Sequence, residues 1–165
     1  KLKNRNIYKG EPTADIEIKS EDKLKAVNCP SNINSRMIDE FLIIFLICAK
    51  AKGISSFKNL EELRNKESDR LKIAVDFLKM IGIKVINKSK NLKIYGNPNL
   101  DLKNRYVVKN YKKDHRVFMM SCVAALTLGG AWKIYDKDSI NSSFPNFLSI
   151  INKIGEKIKW KTWKI

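Results

Sequence analysis

Residues Arg64–Arg70 read RNKESDR, five formal charges in seven residues, three positive and two negative. Such a strip is either a solvated face or a place where an anion meets an acid–base group. Glu67 and Arg70 stand at i, i+3, so a helix puts them on one face. There they form a surface ion pair worth less than about 1 kcal/mol, or a carboxylate beside its orienting cation. A second charged motif, Asp114-His115-Arg116, opens another helical stretch and holds the only histidine. A lone histidine is more often structural than catalytic, although this setting is a less common one. Asp39 lies beside the very apolar run Phe41–Ala49, where partial burial would make it a stronger base. The plainer alternative is a helix-start carboxylate facing the dipole. Arg70 and Arg116 are two of only six arginines against 27 lysines. A guanidinium grips a carboxylate or phosphate through two parallel hydrogen bonds, which an ammonium cannot copy. These residue types suit acid–base chemistry on an anionic substrate.

The elements that must hold these residues repeat. KAVNC (Lys25–Cys29) reads as a strand, and Ser35–Gly53 as a helix, apolar nearly all round after Glu40 and closed by glycine. ISSFKNL is a strand, and SDRLKIAVDFLKMIG an amphipathic helix with Leu71, Val75, Leu78 and Ile81 on one face. IKVIN and LKIYG form a hairpin, completing β-α-β-α-β-β. The order recurs: strand RYVVKN, helix HRVFMMSCVAALTLGG, strand WKIYD, helix SFPNFLSIINKIG and a closing strand or hairpin KIKWKTWKI. NIYKG and ADIEIKS read as the terminal hairpin of a preceding unit. The division is therefore 1–20, 24–97 and 104–165.

Helix-ending glycines set the period: Gly53 to Gly130 is 77 residues, and Gly82 to Gly155 is 73. Counting back from them, Asp39 falls opposite Arg116 and Arg70 opposite Ser143, all expected in the first turn of a helix. Four such N-termini pointing to one end would offer free N–H groups and partial positive charge to phosphates and carboxylates.

Length suits one domain with a real core. The net charge of +16 can mark a nucleic-acid or membrane binder. Here 27 Lys, 16 Asn and 21 Ile are inflated together and spread over every segment, the mark of a compositional bias. The densest cluster, KNYKKDHR, has one aromatic and no RNA-binding pattern around it, so no nucleic-acid partner is expected. Binding small anions fits the charge equally well. Cys29, Cys48 and Cys122 make no CxxC pair and suggest reduced thiols in a cytosol rather than a zinc site. Phe41–Ala49 is too short to span a bilayer, and no signal peptide precedes the fold, so no membrane partner and a cytoplasmic location are expected. The first residue is Lys and strand-like sequence follows at once, as if the chain began within something larger.

RNKESDRL, KKDHRVFM and SSFPNF, in that order, resemble the C-terminal part of the 5-enolpyruvylshikimate-3-phosphate synthase family; GEPTADI and RMIDEFLI resemble its GEPVADI and RLIDEFP segments. The resemblance covers essentially the whole chain. It implies an α/β fold of repeated βαβαββ units, the inside-out α/β barrel of the enolpyruvyl transferases, with about two of the three units of one domain present. It implies transfer of the enolpyruvyl group of phosphoenolpyruvate to the 5-hydroxyl of shikimate 3-phosphate, with release of phosphate and with no metal or organic cofactor. Asp39 would take the hydroxyl proton and hold the shikimate ring. Glu67 would handle the proton at the methylene carbon, and Lys66 would contact shikimate 3-phosphate. Arg70 and Arg116 would hold the anionic groups of phosphoenolpyruvate, with His115 in support. Some members carry a lysine where Ser142 stands, which leaves Ser142 without a role. The family's chains exceed twice this length, so the missing N-terminal half of the same enzyme is an expected partner, the whole being a monomer and the fragment alone inactive. Two rival readings are the related UDP-N-acetylglucosamine enolpyruvyl transferase, which usually has DLR in place of DHR, and a non-catalytic anion- or RNA-binding module.

Overall fold

In a computed structural model of the chain, residues 1–19 and 23–156 are described. The first of them form an antiparallel hairpin, β1 (Leu2–Tyr8) with β2 (Glu11–Ile16), whose Leu2, Ile7, Tyr8 and Ile16 side chains are exposed. The expected strand at Lys25–Cys29 is an extended segment instead. It bridges in parallel to β3 (Gly53–Phe57) at Lys25–Lys52 and Asn28–Ser56. Four backbone hydrogen bonds of 2.8–3.1 Å tie the two together.

Between them runs α1 (Phe41–Ala49), shorter at both ends than the sequence pattern suggests, so that Gly53 starts β3 rather than closing the helix. Ser31–Arg36 winds as a 3-10 turn, because the Asn34 side-chain amide donates to the carbonyls of Lys58 (2.8 Å) and Asn59 (2.9 Å) and ties the segment to the loop after β3. Asp39 therefore lies in the turn before the N-cap, Glu40, and not in the first turn of α1. Phe41, Phe45 and Phe57 pack as an aromatic cluster, with Phe45 and Phe57 centroids 4.9 Å apart edge to face.

The helix expected next is α2 (Arg70–Met80), with Leu71, Val75, Leu78 and Ile81 all buried. Asp69 caps it, accepting from the Lys72 amide at 2.9 Å. The hairpin follows as β4 (Lys84–Lys88) and β5 (Asn91–Gly96), and β5 lies between β3 and β4 in an antiparallel sheet. Gly96 closes that sheet against the end of α1. A Cβ there would sit 2.0 Å from the Ala51 carbonyl oxygen and 2.5 Å from that of Cys48. Gly96→Ala is expected to lower stability by about 3 kcal/mol, the upper end of an overpacked site, in urea denaturation. A loss of less than about 1 kcal/mol would show that β5 slides to make room.

The second unit repeats the crossover: β6 (Leu102–Val108), α3 (His115–Thr127) and β7 (Gly129–Ile134), with β6 and β7 parallel. Gly129 and Gly130, both at positive φ (78° and 75°), stop α3 and start β7, so they belong to the strand rather than the helix. Trp132 stacks on Tyr106 (4.8 Å) and on Phe77 (5.9 Å), which locks α2 of the first unit onto the sheet of the second. The last described helix, α4 (Phe147–Glu156), starts after Pro145. Ser143 is consequently in the turn before α4 and not in its first turn. The expected closing strand over 157–165 lies outside the described residues. Among the described residues no helix is long and apolar enough to cross a membrane.

Candidate active site

α2 and α3 begin side by side, and the turn before α1 meets them. Arg70 is the first residue of α2, and its guanidinium stands at the centre of the cluster with a side chain only 1% exposed. Its Nε donates to Asp114 Oδ2 (2.8 Å), with Nη2 3.4 Å from Oδ1 of the same carboxylate. Nη1 donates to Asp39 Oδ1 (2.9 Å), and Nη2 also donates to Glu67. One buried cation thus faces three carboxylates.

Arg116, in the first turn of α3, holds Asp39 from the other side. Its Nη2 lies 3.3 Å from Asp39 Oδ2, and its Nη1 donates to the Asp39 backbone carbonyl at 3.0 Å. Nη1 is also 3.6 Å from Glu40. Asp39 is therefore bridged by two guanidiniums, one per oxygen, with its side chain 43% exposed. The burial expected beside the apolar helix is replaced by charge pairing at an open surface.

The strip RNKESDR divides its charges among distinct tasks. Arg64 pairs with the capping Asp69 (3.1 Å) and Lys66 with Glu62 (3.1 Å), while Glu67 turns to Arg70. Glu67 is 52% exposed, free to leave its partner for a ligand. Lys66 flanks the cluster but bonds Glu62 rather than any of its members, and His115 opens α3 with no side-chain hydrogen bond among the described residues. Of the residues singled out from the sequence, Asp39, Glu67, Arg70 and Arg116 come together through direct contacts.

Sequence reasoning left Asp114 and Ser68 without a role, yet both are buried at the heart of the cluster. Asp114 is the N-cap of α3 and accepts from the Arg116 amide (3.0 Å), the Ser68 hydroxyl (2.8 Å) and Arg70. An aspartate immediately before an apolar helical stretch is an N-cap signal and was legible as such. Its pairing with a residue 44 positions upstream was not. Burial by itself would push Asp114 up, but hydrogen bonds from Arg70 and Ser68, the Arg70 charge and the Arg116 amide outweigh it and hold the carboxyl below its usual range. Burial likewise works against the charge on Arg70, and the Asp114, Glu67 and Asp39 carboxylates reverse that, so the guanidinium is held more firmly protonated than usual.

The family of EPSP synthase (3-phosphoshikimate 1-carboxyvinyltransferase) matches residues 4–151. A 3-phosphoshikimate 1-carboxyvinyltransferase of Ruthia magnifica is 37% identical over 157 residues, covering 95% of this chain and 35% of that protein. One of Zymomonas mobilis is 38% identical over 152 residues, covering 91% of this chain and 33% of the relative. Among solved structures, EPSP synthase from Acinetobacter baumannii superposes with a TM-score of 0.81 at 30% identity, over 93% of this chain and 35% of that one. The chain spans about a third of the length of the curated relatives it matches. Its fold is accordingly the mixed α/β fold of that enzyme over about a third of the whole. Matched over most of its length in sequence and in structure, the chain belongs to the EPSP synthase family.

Proposed function

We propose that these residues form one wall of an active site that transfers the enolpyruvyl group of phosphoenolpyruvate to the 5-hydroxyl of shikimate 3-phosphate, releasing phosphate, in the cytoplasm. The wall would be completed by further polypeptide of the kind that fills the other two thirds of the relatives. The repeat divides the chain into a hairpin (1–20) and two units (24–97 and 104–165). The observation that carries the reading is Asp39 held between Arg70 and Arg116 with Glu67 on the same guanidinium, in a chain of this family.

The reaction needs a proton removed from a hydroxyl while that oxygen bonds to the phosphate-bearing carbon of the enol phosphate. It also needs a proton placed on the methylene carbon and later taken back as the C–O bond to phosphate breaks. Two carboxylates in different settings suit those two tasks. Asp39 removes the hydroxyl proton: it is fixed through both oxygens and its own carbonyl, so its position is defined. Glu67 manages the proton on carbon, for which its single contact and open position leave it free to move. Arg116 and the outer edge of Arg70 hold the phosphate and carboxylate of the donor, Lys66 reaches shikimate 3-phosphate, and His115 supports the group from the start of α3. Since Arg70 is already paired, donor binding must draw its Nη groups away from Glu67 or Asp39. Exchanging one anion for another on a preset fork keeps the guanidinium oriented throughout.

Phosphate release from the two substrates tests this. The chain joined to the completing polypeptide should turn over, and the 165-residue chain alone should run at less than about one-tenth of that rate. Its carboxylates face open water, where charges are screened. No turnover by the completed protein would sink the functional reading. Comparable rates for both would show that this wall is a whole site.

A further inference from the structure

Asp114 has no part in the chemistry above, yet every fixed point of the cluster leads to it. We infer that Asp114 is the positioning residue that sets the Arg70 guanidinium and, through it, the relative placement of Asp39 and Glu67. Its meaning for catalysis rests on the proposed function; its meaning for the geometry does not.

A guanidinium is a rigid plane with five N–H donors. Asp114 grips one edge of that plane at two points, Nε at 2.8 Å and Nη2 at 3.4 Å, which removes rotation about the terminal bonds. The Nη1–Nη2 end of the plane can then point only one way, and that is where Asp39 (on Nη1) and Glu67 (on the second N–H of Nη2) are met. Asp114 is itself held from both helix starts, by the Ser68 hydroxyl just before α2 and by the Arg116 amide in α3. The contacts close a ring: Asp114 to Arg70, Arg70 to Asp39, Asp39 to the Arg116 side chain, and the Arg116 amide back to Asp114. A ring of this kind fixes distances that a single ion pair would leave loose.

The backbone approaching Asp114 agrees with this. Lys112 and Lys113 both adopt left-handed conformations (φ 54° and 56°), which L residues with side chains seldom take. Tyr111 before them is buried, its hydroxyl donating to the Tyr135 carbonyl. The chain is pinned at Tyr111 and turned sharply, and the residue delivered by the turn is Asp114. Such conformations persist where the surroundings over-determine them.

Side-chain NMR on the 165-residue chain gives a test independent of activity. One arginine Nε–H signal should be protected from solvent exchange. Asp114→Asn, which keeps a good N-cap but loses the charge, should abolish that protection. It should also move the carboxyl carbon signals of Asp39 and Glu67, neither of which bonds to Asp114. Unmoved signals in a folded variant would overturn the proposal. Should Asp114→Asn fail to fold, Ser68→Ala removes one anchor of Asp114 and leaves the ion pair; smaller shifts at the same two carboxyls are expected, and none would overturn it. In the completed enzyme, Asp114→Asn should cut kcat about tenfold or more and raise the KM of phosphoenolpyruvate, with the KM of shikimate 3-phosphate within about threefold. Asp114→Glu should recover part of the loss. In an Arg70→Lys background the same substitution should cost little further, the coupling expected of a residue that acts through Arg70. Equal losses in both backgrounds would overturn the proposal. Absent turnover in the unaltered enzyme counts against the functional reading, and the carboxyl signals still decide the role of Asp114.

Discussion

Replacing Asp39 by Asn in the completed enzyme is expected to cut turnover by at least about a hundredfold, roughly 2.7 kcal/mol in the barrier. The substitution preserves shape and one acceptor oxygen, so Arg70 Nη1 can keep its bond. The other arm becomes an NH2 group facing Arg116 Nη2, two donors where a carboxylate now stands at 3.3 Å. The variant thus loses the proposed base and one contact of the ring while leaving the buried Arg70–Asp114 pair intact. Because Asp39 is 43% exposed, solvent screens its pairs, and the stability cost should be no more than about 1 kcal/mol. Equilibrium binding of both substrates beside single-turnover rates separates the two effects. Near-normal single turnover would remove Asp39 from the mechanism. Lost binding with unchanged chemistry would make it a substrate clamp only.

What the sequence disclosed follows how local its cause was. The face of α2 was legible because Leu71, Val75, Leu78 and Ile81 recur at helical spacing, and all four are buried. The β4–β5 hairpin was legible because two short β-prone runs flank a polar turn. The start of α1 was not, because Met37 and Ile38 continue the apolar pattern while a distant contact, Asn34 to the Lys58 and Asn59 carbonyls, winds the chain differently. The same division runs through the site. Glu67 and Arg70 do meet, though not on a helical i, i+3 face, because Glu67 lies before the Asp69 N-cap and outside α2; the repeat set Asp39 opposite Arg116, whose side chains meet. Asp114 carries the local sign of an N-cap and nothing more. Its second partner comes from the first unit, and only the packing of α2 against α3 brings the two helix starts together.

Asp114→Ala is expected to cost about 3–5 kcal/mol of stability, the scale of breaking a buried ion pair by removing one partner. The two side chains are 0% and 1% exposed, so the substitution leaves a buried guanidinium without its nearest counter-charge. Part of the cost is the missing N-cap of α3, about 1 kcal/mol, which Asp114→Asn would retain. Asp39 and Glu67 still face Arg70 but lie toward solvent, so they offset its charge only in part. The pH dependence follows from the direction of the shift at Asp114. Its folded-state value lies below that of the unfolded chain, so the unfolded state binds the proton first as pH falls. The contribution is fully present above the unfolded carboxylate value of about 4 and is lost as pH drops from there through the lower folded value. Urea midpoints measured from pH 7 down to pH 3 should therefore hold level for this group until about pH 4 and then fall. In Asp114→Asn the acid limb should be shallower, because one of the protons that drives it is gone. An acid limb as steep in Asp114→Asn as in the unaltered chain would show that other carboxylates carry the dependence and that the buried pair does not anchor α2 to α3.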